Sequence, residues 1–225
     1  MVSEEPQFRS LPRDERRERI VWAAKMVFFQ KGLDASSMDD VAAQAGTTKP
    51  TIYAHFKSKD ELFSAAIELV KRLFLGKLRD PEFYSAEPVE AVTLFCGRFL
   101  ELVSWRDAIG FQRVAIGEAV RSPANARVVY DTWFAQACKV LAGYLRSREL
   151  TSSSELQAEL LLSATTSGSI FRHLYGVDLP RLELPDETII GEHIDFHSIR
   201  EAVKIFALSW KTDDDRWIDW PSPRA

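Results

Sequence analysis

Residues 32–59 read GLDASSMDDVAAQAGTTKPTIYAHFKSK, and this stretch decides the fold. Ser37, followed three positions later by Asp40, is a capping-box variant that opens a short helix over 38–44. Ala42 is small, as two closely crossing helices require, and Gly46 supplies the positive φ of a tight turn. A second helix then runs from Thr48 to about His55, with Thr48 available as cap and Pro50 in the first turn, where a missing N–H costs little. Val41, Ala45 and Ile52 supply the apolar contacts between the two. The pattern is a helix-turn-helix whose second helix suits a major groove, leading with Lys49, Thr51 and Tyr53.

Working outward, Ile20, Ala23, Ala24, Val27 and Phe28 mark an amphipathic helix over 14–30 that ends at Gly32. Leu62, Ala65, Leu69 and Leu73 mark a longer one over 59–79. Residues 80–88, with two prolines and no helical stripe, read as a linker. Further helices are expected at 89–104, 106–121, 125–148, 154–176 and 195–211. Residues 177–194 read as a long loop, and 212–225 as a tail carrying Trp217 and Trp220. Nothing alternates at period two for long enough to build a sheet. The expected fold is all-α, an N-terminal helix-turn-helix domain (13–79), a helical effector-binding and dimerisation domain (80–211) and a tail (212–225).

The chain has 225 residues, 46% of them hydrophobic, enough to bury a core and to exclude a disordered class. No apolar run reaches the roughly 18–20 residues of a membrane span, and the N-terminus MVSEEPQFRS has no apolar signal core. A cytoplasmic protein is expected. Cys96 and Cys138 form no CxxC pair, so two buried thiols in a reducing compartment is the plainer reading. Residues 1–79 carry 14 Lys and Arg against 11 Asp and Glu, whereas the remainder carries 15 against 22. Only the first part has the sign to face a polyanion, by a modest excess.

The ordered strings SSMDDVAAQAG at 36–46, TTKPTIYAHF at 47–56 and KSKDELF at 57–63 resemble the N-terminal domain of TetR-type bacterial transcriptional regulators. Residues 111–123, FQRVAIGEAVRSP, are similar to the C-terminal domain of the AefR-like subgroup. The resemblance implies operator contacts from Thr48, Lys49, Tyr53, His55 and Lys59, with Thr51 beside them and Ser37 on phosphate. Asp39 and Asp40 would disfavour phosphate close to Ser37. It also implies a homodimer formed by the last two long helices. Leu156, Leu160, Ala164 and Phe171 make one stripe, and Ile199, Val203, Phe206 and Trp210 another. Either stripe can alternatively face the protomer's own core; the resemblance favours the dimer.

The middle helices are rich in aromatic residues, compatible with an apolar effector pocket. Phe99, Trp105, Arg113, Trp133 and His173 are its candidate lining, and Phe95, Phe111, Phe134, Glu118, Thr165 and Thr166 lie in the same stretches. His193, Asp195 and His197 invite a metal reading, but Asp195 suits a helix N-cap better, HExxH is absent and no Cys is near. Neither a GxSxG, a P-loop nor a GxGxxG is present, so neither an enzyme nor a cofactor is expected. The expected function is a sequence-specific DNA-binding regulator, a repressor released from a palindromic operator by a small apolar or amphipathic effector. The alternatives are an architectural or division-control DNA-binding protein whose second domain binds a protein, and a helical enzyme or carrier that happens to hold a helix-turn-helix.

Overall fold

The computed structural model describes residues 8–121, 123–186 and 194–210, so the tail at 212–225 and His193 lie outside the described residues. The described residues are helical, with no strand among them and an isolated parallel bridge from Trp105 to Arg181. The N-terminal unit comprises α1 (Arg13–Lys31), α2 (Met38–Ala45), α3 (Lys49–Tyr53) and the long α4 (Lys59–Leu75). Acidic Asp14 and Glu15 sit in the first turn of α1, where they complement the helix dipole. Gly32 ends it at φ 80°, a conformation that favours glycine, with its N–H on the Phe28 carbonyl. The buried face of α1 is the expected one, Ile20, Ala23, Ala24, Val27 and Phe28. It closes over Val41, Ala45, Ile52, Phe56 and Phe63, and the Phe28 ring stands edge-on to Phe63 at 5.4 Å.

Two boundaries differ from the sequence expectation. α3 stops at Tyr53 instead of reaching His55: the His55 and Phe56 N–H groups both turn back to the Ile52 carbonyl while Phe56 enters the core. The linker at 80–88 holds a helix, α5 (Pro81–Tyr84), capped by Asp80, which accepts from the Glu82 N–H at 3.1 Å. One helical turn is too short to show a stripe.

The second unit contains α6 (Pro88–Val103), α7 (Arg106–Glu118), α8 (Pro123–Tyr130), α9 (Gln136–Ser147), α10 (Ser154–Leu174) and α11 (Phe196–Ala207). The expected single helix over 125–148 is continuous but changes pitch: Asp131–Ala135 form a π-helical turn between α8 and α9, with the Gln136 N–H on the Asp131 carbonyl. α6 is the central element, buried along nearly its whole length, including Arg98 and Glu101. Arg98 donates to Glu101 at 2.8 Å and to the Asp186 carbonyl, and Arg181 pairs with the second oxygen of Glu101. The described part of the expected long loop, residues 177–186, is thereby fastened to α6. Burial pushes the Cys96 thiol up to about 12 and the Cys138 thiol up to about 11, so both are held as protonated thiols.

The stripe expected on α11 for a partner helix is corrected. Ile199, Val203 and Trp210 are buried and Phe206 is half-buried within the protomer, where α11 lies along α6 and Arg200 pairs with Glu90 at 2.9 Å. The outward apolar residues of this helix end are Ile205 and Leu208. On α10, Leu156, Leu160, Ala164 and Phe171 are exposed, as a partner-facing stripe requires.

The two units meet where α7 packs against α1 and α4. Lys25 and Asp107 form an ion pair at 2.5 Å with side chains only 3% and 7% exposed, and the Lys25 ammonium stands 4.2 Å from the Trp22 ring centre. Phe29 rests against Gly110, where a Cβ would come within 3.3 Å of it, and meets Phe111 at 5.3 Å. Removing one partner of a buried pair strands the other charge, so Asp107→Ala should lose about 3–5 kcal/mol in a denaturant titration. The double variant Lys25→Met, Asp107→Leu should recover most of that loss. A second expectation concerns α2. The Lys31 ammonium, then Ser37, hold the Asp40 carboxyl at about 2, against 3.8 when free. A depressed carboxylate stabilises the fold above pH 3.8, and that contribution fades as pH falls through about 2. Acid unfolding of Asp40→Asn, followed by circular dichroism, should lack this component.

Candidate functional site: the helix-turn-helix and an apolar cavity

Local chemistry builds the first site. Ser37 caps α2, its hydroxyl accepting from the Asp40 N–H at 3.1 Å while Asp40 accepts from the Ser37 N–H at 2.9 Å. This is the capping box expected from the spacing. Gly46 follows at φ 67°, ψ 39°, where a side chain would have room but the backbone would be strained. The turn delivers α3 with Ile52 wholly buried and Thr48, Lys49 and Tyr53 exposed. Thr48 sits at the N-cap position of α3, but its hydroxyl bonds the Thr51 hydroxyl at 2.9 Å instead of a backbone N–H.

The charges around α3 are mutually engaged. Lys49 pairs with Asp39 at 2.7 Å, which raises its pKa and keeps it a cation, and Lys31 pairs with Asp40 at 2.5 Å. Both pairs are exposed to solvent, so each is weakly held and can exchange its carboxylate for another anion. His55 is half-buried, and burial, then the nearby Arg13, Arg16 and Arg17, lower its pKa. Its ring is therefore neutral at neutral pH, one nitrogen donating and the other accepting. Lys59 donates to the carbonyls of Leu33 at 2.7 Å and Ser36 at 3.1 Å. It first clamps the chain between α1 and α2, leaving one ammonium proton for anything else. Ser37 is likewise committed to its cap.

The three arginines at the start of α1 were not singled out in the sequence, although RDERRER at 13–19 was there to find. Its acids cancelled most of its charge in the count. The fold brings these arginines beside α3, and Arg16 lines a depression with Thr47, Thr48 and Thr51.

The second site is a cavity of about 410 Å³ between α6, α7, the α8–π turn and α10. Phe99 and Trp133 line it, as expected, together with Gln112, Tyr130, Phe134 and Phe171. The Trp133 ring also contacts Phe74 at 5.9 Å and Phe111 at 5.5 Å. The other three candidates lie elsewhere. Trp105 is buried near the Lys25 ammonium, which lies 5.6 Å from its ring. Arg113 donates to the carbonyls of His173 and Leu174, satisfying the C-terminal end of α10. His173 borders a separate, more polar depression with Ser104, Ser169 and Arg181. Thr165 and Thr166 bond carbonyls of their own helix. Asp195 caps α11, accepting from the Ser198 N–H at 3.1 Å, which is the role the sequence favoured over a metal. No helix among the described residues is long and apolar enough to cross a membrane.

Comparison with known proteins agrees with this architecture. Residues 20–66 match the family described as bacterial regulatory proteins, tetR family. The transcriptional activator FasR of Mycolicibacterium smegmatis is 48% identical over 58 residues, 26% of either chain. The transcriptional repressor BepR of Brucella suis is 40% identical over 53 residues, 24% of this chain and 25% of BepR. The matches thus span about a quarter of these relatives' length, the helix-turn-helix end. Solved structures resemble the chain over most of its length. The flavonoid-responsive regulator FrrA superposes with a TM-score of 0.67 at 25% identity, covering 87% of this chain and 96% of FrrA. A TetR-family transcriptional regulator from Pseudomonas syringae gives 0.62 at 20% identity, covering 87% and 96%. Residues 20–66 thus match the tetR family of bacterial regulatory proteins, and the helical frame that carries them shares its fold with solved regulators of that type.

Proposed function

We propose that the chain is a homodimeric, sequence-specific transcriptional regulator, a repressor released from a palindromic operator by a small apolar or amphipathic effector. The observation that carries this reading is the face of α3, where Thr48, Lys49 and Tyr53 stand exposed while Ile52 anchors the opposite side. One such helix makes too few base contacts for tight specific binding; two, spaced by about 34–36 Å, suit a palindrome. Leu156 and Leu160 of α10, with Ile205 and Leu208 at the end of α11, are the surface proposed to pair the protomers. Repression is preferred because occupancy alone suffices for it, whereas activation needs a further surface for polymerase. The relatives carry both names, FasR an activator and BepR a repressor. An effector is preferred to a protein partner because the second unit holds a cavity where an architectural protein needs only a filled core. FrrA, of the same fold, is described as flavonoid-responsive.

Selection of bound sequences from random duplex DNA tests the reading, and a palindrome with half-sites one helical turn apart is the expected result. Salt-sensitive binding with no enriched sequence would sink the operator model in favour of the architectural one. On the selected site, Lys49→Ala and Tyr53→Ala should each weaken binding by about 1–3 kcal/mol in an electrophoretic shift titration. Lys59→Ala should lower thermal stability as well as affinity, since it also releases the Leu33 and Ser36 carbonyls. For the dimer, Leu160→Glu should sediment as a folded monomer that has lost operator affinity. An unchanged sedimentation coefficient would remove α10 from the interface.

A further inference from the structure

The cavity wall is unusual in what it omits. None of the residues lining it is charged. The helices that form it, α6, α7, α8 and α10, contain no lysine, and none of their five arginines lines it. Arg98 holds Glu101 and the Asp186 carbonyl, Arg106 lies 3.6 Å from Asp107, and Arg113 caps α10. Arg127 stands 3.8 Å from Asp131, and Arg172 pairs with Asp178 at 2.8 Å. An anion seated against this wall would exchange part of its water for apolar surface, with no counter-charge in the lining to replace it.

Five of the lining side chains are aromatic, Phe99, Tyr130, Trp133, Phe134 and Phe171. Tyr130 and Phe134 lie 5.9 Å apart between ring centres, and Phe134 and Phe99 6.3 Å, so they form a connected aromatic wall. Flat π-faces of this kind favour a planar ring stacked or edge-on against them.

One polar group in the wall is oriented by its surroundings. The Gln112 amide nitrogen donates to the Val103 carbonyl at 3.1 Å and the Ala108 carbonyl at 3.3 Å. Two acceptors on that side fix which end of the amide faces them, because the carbonyl end would be repelled. The Gln112 Oε1 is left without a hydrogen bond among the described residues, on a side chain that lines the cavity. It can accept and cannot donate. Trp133, on the π turn, adds an indole N–H that is buried without a partner.

We propose that the cavity is built for an uncharged, planar aromatic molecule bearing a hydroxyl or N–H donor, and that Gln112 Oε1 is the residue atom that selects for that donor. The inference rests on the effector reading of the cavity and adds the ligand's chemistry to it. Acids of similar size and shape are rejected by the uncharged wall, and hydrocarbons lacking a donor leave Gln112 unpaired.

Three matched probes separate these demands: 2-naphthol, naphthalene and 2-naphthoate, titrated into the full chain and followed through the indole N–H resonance of Trp133, assigned with Trp133→Phe. The expected order is 2-naphthol first, naphthalene about three- to tenfold weaker for want of one hydrogen bond, and 2-naphthoate at least about tenfold weaker than 2-naphthol. Gln112→Leu should bring 2-naphthol down to the affinity of naphthalene while leaving naphthalene unchanged. Because that change also frees the Val103 carbonyl, a second variant uses an exposed position on the lining. Ile116→Lys adds the missing cation and should raise 2-naphthoate affinity about two- to fivefold without improving naphthalene. Equal binding of 2-naphthol and 2-naphthoate to the native chain, in competition for the same Trp133 shift, would overturn the ligand class and leave the effector cavity standing. Failure of all three probes to move Trp133 would overturn the cavity as an effector site and the class with it.

Discussion

The two halves of this molecule meet where α7 packs on α1, beside the contacts that α4 makes with α7 and with the π turn. The Lys25–Asp107 pair sits in the α7–α1 packing with almost no water. A charge pair in that position must be held in good geometry, since its attraction only offsets the loss of solvation when the partners are close. The aromatic packing of Phe29 on Gly110 and Phe111 provides that constraint. α7 is two-sided in consequence. Asp107, Gly110 and Phe111 face α1, while Gln112, Ala115, Ile116 and Ala119 face or follow the cavity wall.

That arrangement gives the effector reading a physical route. Phe111 touches Phe29 of α1, Phe63 of α4 and Trp133 of the π turn, with ring centres 5.3, 6.0 and 5.5 Å away. A molecule that displaces Trp133 acts on a ring already in contact with α4 and with α1, the helix on which α2 packs, and α2 in turn packs on α3. Close-packed interiors transmit such displacements as rigid-body shifts and not as local give. The shift matters only to the extent that the ligand prefers one arrangement over the other.

The helix-turn-helix was legible in the sequence because its determinants are local. Ser37 and Asp40 are three residues apart, Gly46 must be left-handed where it stands, and Ile52 has one apolar face to choose. The cavity was legible only in outline, since its wall is assembled from four helices distant in sequence. Arg113 and His173 attracted notice as polar residues in apolar stretches, yet Arg113 closes a helix end and His173 faces a different depression. Gln112, the neighbour of Arg113, carried no distinguishing signal. The π turn had none either, because residues 125–148 contain no proline or other breaker at 131–135 to mark it. On α11 apolar residues occupy both sides, so periodicity could not say which stripe the protomer keeps for itself. Contact with α6 settles it for Ile199 and Val203.

On the operator reading proposed above, the two carboxylates at the start of α2 bear on how the domain would meet DNA. Asp39 occupies Lys49 and Asp40 occupies Lys31 in the free protein, so each cation must exchange an internal anion for an external one. A random stretch of duplex offers only phosphate in exchange, a near-even trade against a carboxylate. An operator adds a base edge to the same side chain. On that reading the internal acids compete with phosphate for the two cations, which weakens the sequence-independent part of binding more than the part that reads bases.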